Sequence, residues 1–141
     1  MIHSVLVVQD STVFFSKHYL LAEGRERGDY ESLVLEIAEV ERVFSVGKVR
    51  VVVSDSSDGT FVAVSGSGEM DEVLLSLVLE AVQSTLTSLL SAAGLSSKDL
   101  NTQPPKSLYA MLSLSLDELA PDGILDSLDV ERNIAYAKLK V

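Results

Sequence analysis

The 141-residue sequence predicts an α+β fold: a five-stranded antiparallel sheet laid out as ββαβββ, helices packed on both faces, and a helical C-terminal half. Three observations predict it. The β-rich runs before residue 67 are separated by short turn-type connections, which join antiparallel neighbours. One stretch among them has apolar residues at intervals of three and four, the period of an amphipathic helix. After residue 69 that helical period takes over almost entirely, so helices follow the sheet rather than alternate with its strands.

"IHSVLVV" and "TVFFSKHY" are the first two strands, divided by Gln9-Asp10-Ser11, a group short enough for a hairpin. Strict alternation places Val13, Phe15 and Lys17 on one face of the second strand and Thr12, Phe14, Ser16 and His18 on the other. Neither face is cleanly polar, which implies cover on both sides. "LLAEGRERGDY" reads as a loop, because Gly24 and Gly28 bracket alternating charges. From Tyr30 the set Tyr30, Leu33, Val34, Ile37 and Ala38 has helical spacing, with Asp29 as N-cap and an end near Val40.

"ERVFSV", "KVRVVVSD" and "TFVAVSG" are three more strands, joined by a tight hairpin at Gly47-Lys48 and a longer one ending in Asp58-Gly59. From Glu69 to about Ala93 a long helix carries Val73, Leu74, Leu77, Val78, Ala81, Val82, Leu86, Leu89 and Leu90, with Leu75 and Leu79 widening the stripe. It has the length of a membrane span. Glu80, Gln83 and the Ser and Thr residues at 76, 84, 85, 87 and 88 interrupt the apolar run, so a helix lying across the sheet is the expectation. "GLSSKDLNTQPPKS" is a linker of turn formers, with Pro104-Pro105 opening a helix of about 106 to 119 that carries Leu108, Met111, Leu112, Leu116 and Leu119. "APDG" breaks it, and Asp126 to Asp129 offers caps for a last helix carrying Val130, Ile134 and Ala137.

No repeat or internal boundary is visible, and the length suits one domain spanning 1–141. Apolar residues make up 47% and charged residues 23%, a globular composition that predicts a soluble folded protein. The absence of cysteine excludes disulfides, thiolate zinc sites and a cysteine nucleophile. "MIHSVLVVQD" turns polar too soon for a signal peptide, which makes the cytoplasm the default location. A net charge of −10 with scattered basic residues argues against nucleic-acid binding and against direct adsorption to an anionic membrane.

"SGSGEMDE" begins like a dinucleotide-binding fingerprint, but Asp71 stands where the third glycine is needed. Glu69, Asp71 and Glu72 crowd the helix start that would receive a pyrophosphate, and the preceding strands are joined by hairpins rather than a crossover. A sharp strand-to-helix corner with acidic capping accounts for the same residues. His3 and His18, on adjacent strands, can approach across the hairpin, yet no third ligand or nucleophile is marked. Asp117 with Glu118, and Asp126 with Asp129, are carboxylate pairs at a helix end and a helix start, where capping and solvation are the usual reasons. The sequence marks no catalytic, cofactor-binding or metal-binding residue and implies no cofactor. The crowded stripe of the long helix and the two-sided strands carry more apolar surface than a thin two-layer domain needs, which a partner protein would cover.

Three segments carry a family resemblance: "MIHSVLVVQDSTVFFSKHY" with its Lys17-x-Tyr19 ending, "GTFVAVSGSGEMDEVLLSLVLEAVQSTLTSLL", and "SLYAMLSLSLDELAPDGILDSLDVERNIAYAKLKV". Together they resemble the longin-like small subunits of adaptor and coatomer complexes, along nearly the whole chain and in order. Gly66-Ser67 followed by Glu72 and a Leu-Val-rich helix, with "DELAPDGILDS", looks closer to the zeta subunit of the COPI coat than to the sigma subunits of clathrin adaptors.

The resemblance implies a noncatalytic subunit bound to a large adaptin-like or gamma-coatomer-type chain within a coat. Other coat subunits would be further partners, and association with Arf-type GTPases and with Golgi or other vesicle membranes would be indirect, through the complex. It also implies that the isolated chain is poorly soluble or self-associating. Some sigma chains recognise acidic dileucine signals partly through a basic residue on the second strand; Phe14 falls at or near that place, so the resemblance transfers no cargo-binding residue. A sigma-type subunit, a stand-alone longin or roadblock-like GTPase regulator, and a small enzyme dependent on His3 or His18 are the alternatives.

Overall fold

β1 (Ile2–Gln9) is buried along almost its whole length because it lies inside the sheet, with apolar side chains directed to both faces. The computed structural model describes residues 1–19, 24–56, 59–100 and 106–141. Around β1 are β2 (Thr12–His18), β3 (Val43–Val46), β4 (Val49–Val53) and β5 (Thr60–Gly66), in the antiparallel order β2-β1-β5-β4-β3. The hairpin after β1 turns through Asp10 and Ser11, both at positive φ, and the one after β3 turns through Gly47 at φ +62°. The expected 58–59 turn lies partly outside the described residues, although β4 and β5 pair as that turn requires.

Helices cover both faces. On one, Val34 and Ala38 of α1 (Gly24–Ala38) pack with Leu6, Val8, Val51, Val53 and Ala63. On the other, α2 (Glu72–Ala92) and α3 (Lys106–Leu119) pack with Ile2, Val5, Val7, Phe15, Val52, Val62 and Val64, and α4 (Val130–Lys138) rests against α3. Three layers therefore absorb much of the apolar surface that looked excessive for a thin two-layer domain.

The alternation expected for β2 fails at one residue. Val7 pairs with Phe15 but Val8 pairs with Val13, so Phe14 is an extra residue in a β-bulge. Beyond the bulge the faces exchange: Val13 packs on the α1 side, whereas Phe14 and Phe15 pack on the α2–α3 side. A second irregularity at His3, between Ile2 opposite Gly66 and Ser4 opposite Ser65, does the same to β1.

The loop expected through 20–30 is instead helix from Gly24, and Asp29 lies inside that helix rather than capping it. A mid-helix glycine costs only about 1 kcal/mol relative to alanine. Gly28 occupies open space, and Arg27 and Tyr30 turn a half-buried face to the sheet. The packing of that face outweighs the local penalty.

α2 begins at Glu72, with Asp71 as N-cap accepting the Leu74 N–H at 2.9 Å. Its buried stripe is Leu75, Val78, Leu79, Ala81, Val82, Thr85, Leu86, Leu89 and Leu90, while Val73 and Leu77 face outward. By length and composition α2 is long and apolar enough to cross a membrane, but half of its apolar window is buried within the protein. The segment expected to be a polar linker is anchored: Ser97–Asp99 form a 3-10 turn, Gln9 Nε2 donates to the Ser97 carbonyl at 2.5 Å, and Leu100 is buried. Pro104-Pro105 lies outside the described residues. α3 and α4 occupy the expected spans, with Asp129 capping α4 by accepting the Arg132 N–H at 3.1 Å.

Candidate interaction site

The glycine corner is occupied by the chain's own first strand. The Ser67 N–H donates to the Met1 carbonyl at 2.9 Å, and the Met1 amine donates to the Ser67 carbonyl at 2.8 Å. A Cβ at Gly66 would stand 3.0 Å from both the Met1 carbonyl oxygen and the Met70 Cβ. Glycine is needed there for close backbone approach, and Gly68 for its positive φ of +68°. With Asp71 capping the helix and Glu69 3.8 Å from the Met1 amine, the corner closes on itself rather than cradling a phosphate.

His3 Nε2 and Ser67 Oγ are 2.6 Å apart, a nucleophile-to-base spacing. Among the described residues no carboxylate orients the other ring nitrogen, and the Ser67 N–H is already committed to Met1, so the pair lacks the remaining parts of a catalytic constellation. Burial, followed by the nearby Met1 ammonium, holds His3 below its usual pKa. His18 Nε2 instead meets Glu31 Oε1 at 2.9 Å. Among the described residues no three His, Asp or Glu side chains are grouped to hold a metal.

Both histidines line one cavity of about 220 Å³, together with Ser4, Glu26, Arg27, Tyr30 and Val49, between the N-terminal turns of α1 and the sheet. Ser4 Oγ lies 2.6 Å from Ser65 Oγ and donates to the Tyr30 hydroxyl at 3.2 Å. Arg27 Nε is buried without a hydrogen-bond partner among the described residues. In the sequence Arg27 reads as loop and Tyr30 as part of the apolar helix face, so the two are not joined as a polar pair; their i, i+3 spacing was the available signal, since that spacing sets two side chains on one helix face.

The carboxylate pairs do not act as pairs. Asp117 meets Lys17 at 2.8 Å, Glu118 meets Lys140 at 2.5 Å, and Asp126 meets Arg132 at 3.8 Å, while Asp129 caps α4. Phe14 packs edge-on to Tyr109 with ring centroids 6.4 Å apart. Tyr109 also donates its hydroxyl to the Ser16 carbonyl at 3.0 Å, which ties α3 to edge strand β2. The remaining exposed apolar side chains include Leu33 and Val40 near the end of α1, Val43 on edge strand β3, Val73 and Leu77 on α2, and Tyr136 and Leu139 at α4.

Among the described residues, the five-stranded antiparallel sheet in this order, with α1 on one face and α2 and α3 on the other, is the longin-like arrangement expected from the sequence. A chain in a homology model of the full-length AP-3 complex in a stretched open conformation matches it with TM-score 0.70 and 11% identity, covering 99% of this chain and 93% of that one. In sequence, the chain is 28% identical over 149 residues to the TSET complex member tstD of Dictyostelium discoideum, covering 99% of this chain and 94% of that protein. No family model matches the sequence.

Proposed function

We propose that this protein is the noncatalytic small subunit of a heteromeric vesicle coat or adaptor complex, bound to a large adaptin-like chain in intracellular membrane trafficking. The observation that carries the reading is the 28% identity to a TSET complex member along 99% of the chain. Its work is mechanical. The rigid three-layer body fills and supports the curved large chain, and the complex as a whole, in the cytoplasm, meets the membrane and any Arf-type GTPase.

Within this group, the TSET similarity favours a TSET-type complex. A COPI zeta-like identity is the second reading, favoured by the Gly66-Ser67 corner leading into Glu72 and the aliphatic helix. Either interface is of the obligate kind, which commonly buries more than about 2,000 Å². Affinity purification of the tagged full chain from native cytosol, followed by mass spectrometry, tests the proposal. Recovery of a large adaptin-like chain supports it, and that chain's identity separates TSET from COPI. Recovery of a small GTPase without any large chain, or of no coat subunit under gentle conditions, overturns it.

A further inference from the structure

Among the described residues, Arg27 is a half-buried cation without an acceptor: its Nε is buried and unpartnered, and no ion pair satisfies the guanidinium. Among the described side chains the other cations without an ion pair, Lys48, Arg50, Lys98 and Lys138, are all exposed. Lys17, Arg42, Arg132 and Lys140 each meet a carboxylate. Glu26 lines the same cavity yet forms no ion pair with Arg27, and Glu31 is engaged by His18.

A second open donor faces the same space. Ser4 Oγ gives its proton to the Tyr30 hydroxyl, so the proton between Ser4 and Ser65 comes from Ser65. The relay runs from Ser65 through Ser4 to Tyr30, and the Tyr30 proton then has no acceptor among the described residues. Two donors on adjacent turns of α1 thus line a cavity whose histidines are already committed elsewhere.

We propose that this cavity receives the carboxylate of an Asp or Glu side chain from the large partner chain, held by Arg27 and Tyr30. The inference rests on the proposed coat-subunit function. A planar guanidinium fork matches a carboxylate, and one negative charge is what one unpaired arginine balances. A doubly charged phosphate would instead meet Glu26 without a second free cation among the described residues of the wall. The size agrees: about 220 Å³ admits a side chain and falls below the roughly 300–1,000 Å³ of most small-molecule sites.

The test compares the full-length wild-type chain with Arg27→Ala, Arg27→Glu and Tyr30→Phe in recovery of the large chain, identified by mass spectrometry. Thermal melts of each purified variant check the fold. Arg27→Glu should reduce recovery by at least about tenfold, because it sets a like charge against a buried carboxylate. Tyr30→Phe, which removes one hydroxyl and keeps the ring, should reduce it about two- to fivefold. Wild-type recovery from a folded Arg27→Ala or Tyr30→Phe protein overturns the inference and leaves the coat-subunit reading standing. Failure of the wild-type chain to recover any large chain overturns that reading itself. Calorimetric binding of inorganic phosphate to the wild-type chain, lost in Arg27→Ala, overturns the choice of a carboxylate.

Discussion

Lys17 Nζ lies 2.8 Å from Asp117 Oδ1 and 2.9 Å from Ser113 Oγ, so one side chain ties edge strand β2 to helix α3. The lysine side chain is 17% exposed and the aspartate 44%, which places the pair between a buried bridge and a surface one. Lys17→Met keeps the aliphatic stem and removes the charge together with both polar contacts. It should lower stability by about 1 kcal/mol, read as a reduced urea midpoint with an unchanged slope. Asp117→Asn should cost less, because Ser113 still satisfies the ammonium. Equal losses from the two variants would mean that the ion pair, rather than the shared network, accounts for the effect.

The position of Lys17 also shows what strict alternation can and cannot supply. Strand existence, hairpin pairing and the spans of α3 and α4 follow from local turn chemistry and period, and these were legible. The bulge at Phe14 was not, because one inserted residue leaves composition and propensity unchanged while exchanging the faces beyond it. The start of α1 was lost for a related reason: Gly24 and Gly28 are local signals, and they are overruled by packing of Arg27 and Tyr30 that no window of sequence contains. The cavity depends on both of those segments. His3 and His18 are visible in the sequence as neighbours, whereas the residues with open donors sit on the helix whose glycines mimic a loop.

The glycines separate conformational need from chance. Gly28 lies inside α1 with nothing within 4 Å of the place an added methyl would take, so Gly28→Ala should stabilise the protein by about 1 kcal/mol. Gly66→Ala should destabilise it by about 1–3 kcal/mol, since the new methyl meets the Met1 carbonyl and the Met70 and Leu75 side chains at 3.0–3.1 Å. Gly123→Ala should be worse than either. Its φ is +83° and its Cβ would stand 2.5 Å from the Ile2 carbonyl oxygen. Denaturant midpoints give the order directly, and a neutral Gly66→Ala would show that the corner can open.

Two groups set opposite pH limbs. Burial first, then the charge of Asp117, push the Tyr19 phenol well above its usual 10.0, and its hydroxyl donates to the Leu116 carbonyl at 3.2 Å. The folded chain therefore holds this proton where the unfolded chain releases it. Its contribution is complete below pH 10 and is lost as pH rises further. His3 is shifted the other way, below 6.5, so its contribution is present above that value and is lost as pH falls through the lowered pKa. Stability against pH should show both declines. Tyr19→Phe should flatten the alkaline limb and leave the acid limb in place; an unchanged alkaline limb would remove Tyr19 as its cause.

α2 offers the sharpest test of which residues hold the sheet. Leu75 and Leu77 are two positions apart on α2, and the helical spacing puts Val73 and Leu77 in the expected stripe with Leu75 only widening it, the reverse of what the structure shows. Leu75 is fully buried against the sheet-side core, whereas Leu77 is 44% exposed, and Val73 on the same helix is 70% exposed. Leu75→Ala should cost about 2–5 kcal/mol through lost transfer energy and the cavity left behind. Leu77→Lys and Val73→Lys should stay within about 0.5 kcal/mol of wild type, as surface substitutions do. Their effect should appear instead in association: light scattering of the isolated chain should fall when both are lysine, because two exposed apolar side chains are replaced by charges. A large stability loss at Leu77 would mean that α2 is rotated from the orientation described, with its buried stripe centred elsewhere.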